Sequence, residues 1–255
     1  MSRNFELLSQ VGRMDEIAQP QEQSYVTPPP AVEETSPETF HRSTPALDMT
    51  DAVRDEISKI VQNLFLPAQG PRRVVFAGTE SGSGCSWMCA RVAEGLAPQG
   101  RGTVCVVDCN LRAPTLHHQF GTENHHGLSD ALLGTGPIQE YVHRLSENLW
   151  LLSCGSSAEV GLTMLGSDRM RLRLAELRAA FDYILIDAAA LNAANDAVVL
   201  GGLSDGVVLT LKANSSRRET ARKAVQELQA ANVRTLGAVL NQRTFPIPEA
   251  LYKRL

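Results

Sequence analysis

Residues 73–87 run Arg73-Val-Val-Phe-Ala-Gly-Thr-Glu-Ser-Gly-Ser-Gly-Cys-Ser-Trp87, an apolar strand, then a loop of Gly, Ser and Thr, then a helical pattern. No other stretch constrains the fold as tightly. Gly78, Gly82 and Gly84 let backbone N–H groups converge on an anion, and the helix that follows adds the positive end of its dipole. This is the layout of a phosphate-cradling loop, usually spelled G-x-x-x-x-G-K-[ST], in which the Lys reaches the outer phosphates and the hydroxyl holds Mg²⁺. Ser86 takes the hydroxyl position and Gly84 the glycine position, but Cys85 stands where the Lys belongs. Thr79, Gly82, Ser83, Gly84, Cys85 and Ser86 are therefore the expected contacts to a nucleotide. A hydrogen bond to a charged group is worth roughly 1.5–3 kcal/mol. Loss of the Lys should lower nucleotide affinity by about ten- to a hundredfold or more, and phosphoryl transfer further, because that cation also stabilises transition-state charge. Neither Thr79 nor Glu80 offers a substitute cation.

The formal net charge of −4 gives no global basic field, so nucleic acid is not an expected partner. No run of eighteen apolar residues occurs, and the N-terminus lacks the basic and apolar pattern of a signal peptide. The expectation is a soluble, cytoplasmic protein that meets the inner face of a membrane only through a partner. Five cysteines, Cys85, Cys89, Cys105, Cys109 and Cys154, form no C-x-x-C and are odd in number, as for reduced thiols.

Residues 1–18 carry Leu7, Val11, Met14 and Ala18 at helical spacing, which predicts a short amphipathic helix. Residues 19–48 are rich in Pro, Glu, Ser and Thr and too poor in large apolar side chains to bury a core. They read as a disordered linker. The globular domain is expected over 49–255, opening with a helix between Thr50 and Leu66. Strands are predicted at 73–77, 103–108, 149–153, 183–187, 206–211 and 235–240. Helices are predicted at 87–96, 168–180 and 216–230, the last with Ser216 and Glu219 at capping-box spacing. Runs such as Val104-Cys-Val-Val107 and Tyr183-Ile-Leu-Ile186 do not alternate, as expected of strands covered on both faces. The predicted fold is a doubly wound, mostly parallel α/β sheet with an N-terminal extension.

Ligands of such sheets sit at the carboxyl ends of the strands. There the loop over 78–86 is joined by Asp108, in Asp108-Cys-Asn-Leu-Arg-Ala-Pro114, and by Asp187. Together with Ser86, these carboxylates outline a Mg²⁺–ATP site, and Asp108 could accept a proton from an attacking hydroxyl. Each Asp taken singly also reads as a strand-ending cap.

Val106-Val-Asp-Cys-Asn-Leu-Arg-Ala-Pro-Thr-Leu-His117 resembles the second Walker-type motif of the bacterial tyrosine kinases that autophosphorylate in capsule and exopolysaccharide systems. In them it reads D-x-D-L-R-x-P followed by a His. Gly127-Leu-Ser-Asp-Ala-Leu132, residues 148–155, Phe181-Asp-Tyr-Ile-Leu-Ile-Asp187, Ser204-Asp-Gly-Val-Val208 and Leu236-Gly-Ala-Val-Leu-Asn241 are similar to family segments in the same order. The resemblance runs from about residue 50 onward. It implies a P-loop NTPase fold shared with partitioning and septum-positioning ATPases, use of ATP and Mg²⁺, and a membrane polysaccharide co-polymerase or export partner, here met through residues 1–18.

The departures bear on activity. Against the family's S-x-x-P-G-E-G-K-S the loop has lost both Glu and Lys, and the second motif's second Asp is Asn110. The family's E-x-x-R-x-x-R ring-assembly pattern is matched by Asp55, Ser58 and Val61, which leaves a homo-oligomer without its usual arginines. The Tyr-rich tail is reduced to Tyr252. The expected function is a tyrosine-autokinase-like regulatory module of weakened or absent kinase activity. The alternatives are a working kinase in which Arg112 or a partner supplies the missing charge, and a cargo-positioning ATPase, which needs an early loop Lys that this chain lacks.

Overall fold

Apolar strands without alternation need cover on both faces, and the computed structural model, which describes residues 50–99 and 102–243, supplies it. The elements in chain order are α1 (Asp51–Leu64), β1 (Arg73–Gly78), α2 (Cys85–Gln99), β2 (Val104–Asp108), α3 (Leu116–Phe120), α4 (Leu128–Leu133), β3 (His143–Ser146), β4 (Leu149–Leu152), α5 (Ala158–Met164), α6 (Asp168–Ala180), β5 (Tyr183–Ala188), α7 (Asp196–Gly202), β6 (Gly206–Lys212), α8 (Arg218–Ala230) and β7 (Thr235–Asn241). The expected helix over 1–18, the linker over 19–48 and Tyr252 lie outside the described residues.

The strands form one sheet in the order β3-β4-β2-β5-β1-β6-β7, parallel throughout except for the antiparallel β3–β4 pair. Successive side chains of a strand face opposite sides, so each apolar run feeds two cores. Val74, Phe76, Val104, Val106, Leu151 and Leu185 pack with α1, α2 and α3 on one face. Val75, Ala77, Val107, Leu152, Ile186, Val207 and Leu209 pack with the later helices on the other. Each large side chain buried in this way contributes roughly 1.5–3 kcal/mol. Helix α1 lies on α2 through Ile57 and Val61. Gly95 permits the approach, since a Cβ there would sit 2.9 Å from Ile57 Cγ2.

The six predicted strands are present. The sequence reading lacked β3, an edge strand of four residues, and the helices α3, α4, α5 and α7, each of five to seven residues. Helix α2 starts at Cys85, two residues earlier than the apolar pattern predicts. The capping box at Ser216 does not form: α8 is preceded by Arg217, which makes no side-chain cap, and the Ser216 hydroxyl is used elsewhere.

A buried cation organises the side of the sheet that carries α4 and α6. Arg173, 4% exposed, donates to the carbonyls of Ala131, Gly134 and Gly136 at 2.8–2.9 Å and pairs with Glu176 at 2.6 Å. Truncating it strands the carbonyls of Ala131 and Gly136, since Gly134 keeps its bond from Arg169, and each costs about 1–3 kcal/mol where water does not replace the donor. Arg173→Met should therefore lower unfolding free energy by about 3 kcal/mol, read in urea as a lower midpoint at unchanged m-value.

Candidate functional site

Strand β5 lies between β1 and β2, and the registers set Asp187 beside both Phe76 and Asp108. The carboxyl ends of β2, β5 and β1 thus bring together residues from distant parts of the chain: the loop after β1, Asp108 and Asp187. Beyond β1 lies β6, whose Thr210 carbonyl accepts the Thr79 N–H at 3.1 Å. Doubly wound sheets bind their ligands at this rim.

The loop is shaped by close contacts. Gly82 (φ 78°) and Gly84 (φ 77°) occupy the left-handed region that glycine adopts without strain. A Cβ on Gly78 would lie 2.3 Å from Ser83 Oγ. Glu80 leans out of the loop and accepts the Ser216 hydroxyl at 2.6 Å, while that hydroxyl accepts the Lys212 N–H at 2.9 Å. This tie between loop and β6 is where the expected capping serine went. Because α2 begins at Cys85, both Cys85 and Ser86 stand in its first turn, where free N–H groups and the helix dipole favour an anion.

Asp108 is fully buried, and burial pushes its carboxyl up to about 6 although three backbone donors pull the other way. They are the N–H groups of Leu116 at 3.0 Å and of Asn110 and Thr115 at 3.2 Å. Asp108 is therefore a cap for the 110–116 turn as well as a carboxylate at the rim. Asp187 has no such support. It is fully buried, and neither oxygen makes a hydrogen bond of ordinary geometry. Burial, then the neighbouring Asp108 charge, holds it well above the usual carboxylate range; the nearby side chains of Ser86 and Cys85 ease this only in part. The half-buried Cys85 thiol is itself pushed up, first by burial and then by Asp187.

The hydroxyls of Thr79 and Thr210 are buried at the same rim and also make no hydrogen bond of ordinary geometry, although Thr210 lies close enough to ease the rise of the Cys85 thiol. Thr210 was missed from sequence, although a hydroxyl inside the apolar run Gly206-Val-Val-Leu-Thr-Leu211 was the signal. Arg112 lies at the rim half-exposed, with its Nε 3.2 Å from Asp196 at the start of α7. Unpartnered hard oxygens on Asp187, with Ser86 and Asp108 beside it, fit Mg²⁺, which binds through one or two carboxylates and takes its other ligands from phosphate and water.

The sheet order and loop define a P-loop nucleotide-binding fold, and solved structures agree. The VpsO kinase domain is 26% identical at a TM-score of 0.70, covering 76% of this chain and 98% of that one. A ParA-family ATPase from Chlorobium tepidum, 19% identical at a TM-score of 0.55 over 67% of this chain and 74% of its own, shares the fold. Among curated relatives, the tyrosine-protein kinase YwqD of Bacillus subtilis is 32% identical over 171 residues, covering 67% of this chain and 72% of its own length. The chain belongs to this bacterial tyrosine-protein kinase family. The putative tyrosine-protein kinase EpsB of Ralstonia nicotianae is 28% identical over 198 residues, or 77% of this chain, and the chain spans about a quarter (26%) of that relative's length. No protein-family model matches the chain.

The facing carboxylates predict a pH signature. A carboxyl whose pKa is higher folded than unfolded holds its proton longer in the folded state, so stability falls as pH rises from the unfolded value of 3.8 toward the folded one. Asp187→Asn removes that penalty. The ligand-free variant should melt above the wild type, by more at pH 8 than at pH 5, while losing Mg²⁺-dependent nucleotide affinity; calorimetric scans at both pH values check it.

Proposed function

We propose that the chain is a tyrosine-autokinase-like P-loop module of exopolysaccharide or capsule biosynthesis or export, which binds Mg²⁺–ATP weakly and regulates rather than phosphorylates. The observation that carries this reading is Cys85. The loop and both carboxylates keep their places, while the Lys position beside Asp187 holds a neutral thiol. Family relatives named for such systems, including EpsB and the capsule-named CapB of Staphylococcus aureus, support the setting.

In this reading the N–H groups at the loop and at the start of α2 take the phosphates, and Ser86, Asp108 and Asp187 hold Mg²⁺. Bound Mg²⁺ would neutralise phosphate charge. Asp108 is the candidate base, with a carboxyl near 6 that is largely ionised at neutral pH. Backbone donors remain for the phosphates, but the full charge that the Lys would add as phosphoryl charge develops is absent. Asn110 contributes no charge to the metal, and Tyr183, 4% exposed under Phe65, is out of reach as an acceptor. We further assign residues 1–18 to docking on a membrane polysaccharide export protein.

A working kinase is the second reading, favoured by Arg112, whose half-exposed pair with Asp196 is worth about 0–1 kcal/mol and is free to swing. Two measurements separate the readings. Titration calorimetry with Mg²⁺–ATP should give weak binding, and Cys85→Lys should strengthen it at least tenfold. Low-micromolar affinity in the wild type, or no gain in the variant, would contradict the lost-cation argument. Incubation with Mg²⁺–ATP followed by mass spectrometry should find no phosphotyrosine. Stoichiometric phosphate on Tyr252 that vanishes in Asp108→Asn would promote the working kinase.

A further inference from the structure

The loop's outer side is held by two carboxamides from the far end of the chain. Asn241 Nδ2 donates to the Ser83 carbonyl at 3.0 Å and to the Gly84 carbonyl at 3.4 Å, and Gln242 Nε2 donates to the Gly82 carbonyl at 3.1 Å. In a planar trans peptide the C=O of one residue and the N–H of the next point in opposite directions, and no described peptide bond is cis. The Gly84 carbonyl is also held by the Met88 N–H of α2 at 3.0 Å, so the carboxamides fix chiefly the carbonyls of Gly82 and Ser83; with all three held, the N–H groups of Ser83, Gly84 and Cys85 are aimed the other way, toward the phosphate side. Among the described residues none of those three N–H groups has a protein acceptor.

Two further features show that the contact is built in. Gln242 has φ 57°, a left-handed conformation that non-glycine residues seldom adopt, and such outliers persist where the surroundings impose them. A Cβ on Gly84 would lie 2.4 Å from Asn241 Nδ2 and 3.2 Å from Gln242 Nε2, so this glycine is needed for the carboxamides as well as for its φ of 77°. The platform beneath is firm, because β7 pairs with β6 through Asn241 and the Asn241 carbonyl accepts the Ala213 N–H at 2.8 Å.

We propose that Asn241 and Gln242 are positioning residues for phosphate binding, a clamp that together with the first turn of α2 pre-orients three loop N–H groups toward the anion. With Cys85 in place of the Lys, those amides are the loop's principal donors, so their orientation sets the affinity. The inference rests on the nucleotide-binding reading above.

The test titrates the full chain, and its Cys85→Lys form, with Mg²⁺–ADP and with inorganic tripolyphosphate. Asn241→Leu keeps the side-chain size without the donor. Gln242→Gly removes the donor and relieves the left-handed backbone. Each should weaken both probes by about three- to tenfold, while the melting temperature of Gln242→Gly stays at or above that of its parent. If Asn241→Leu fails to fold, Gln242→Gly carries the test alone. Unchanged affinity for both probes overturns the clamp and leaves the nucleotide reading standing. A loss confined to Mg²⁺–ADP also overturns it, since the carboxamides would then touch the nucleoside. If neither parent binds either probe, the nucleotide reading fails and the clamp fails with it.

Discussion

Two buried carboxylates facing each other across a parallel strand pair are the constraint on which the rest of this site depends. Asp108 and Asp187 are register partners on β2 and β5, both fully buried, and the Asp108 charge raises the cost of ionising Asp187. Asp108 is offset by three backbone donors from the turn it caps. Asp187 has no such support. The surrounding sheet bears this cost because its central strands are apolar on both faces, so the core stability lies in β1, β2, β5 and their helices rather than in the rim.

The central sheet was legible in sequence because its strands are unbroken apolar runs separated by countable helical patterns. Strand β3 was not, since His143-Arg-Leu-Ser146 is short, charged and at an edge, where alternation over four residues cannot be told from loop. The short helices α3, α4, α5 and α7 fail for the same reason of length. At the site, Thr79, Ser83, Asp108 and Asp187 could be read locally because each ends a strand or punctuates a glycine loop. Thr210, Asn241 and Gln242 could not be assigned in this way. They reach the loop only because β6 and β7 are stacked outward from β1, a fact of sheet order that no local pattern encodes. Ser216 shows the converse: its spacing to Glu219 was a sound local signal, overridden by Glu80, 136 residues away.

The loop keeps its form with Cys85 in the usual Lys position because residue 85 is not what shapes it. Gly78 against Ser83, Glu80 on Ser216, Thr79 on the Thr210 carbonyl and the carboxamides of β7 are contacts within the protein, indifferent to residue 85. Cysteine at that position also limits the damage. A thiolate would add negative charge beside Asp187, but burial, and then Asp187 itself, push the thiol well up. The result is a neutral group of modest size at the position where the usual phosphate loop carries a Lys. Such a replacement separates two properties that the Lys joins. One is contact to the phosphates, which backbone donors also make, and the other is a full charge whose contact strengthens as phosphoryl charge develops. The loop's form and the charge at residue 85 are thus set by separate parts of the sequence, the first by glycines and by contacts to β6 and β7, the second by one side chain.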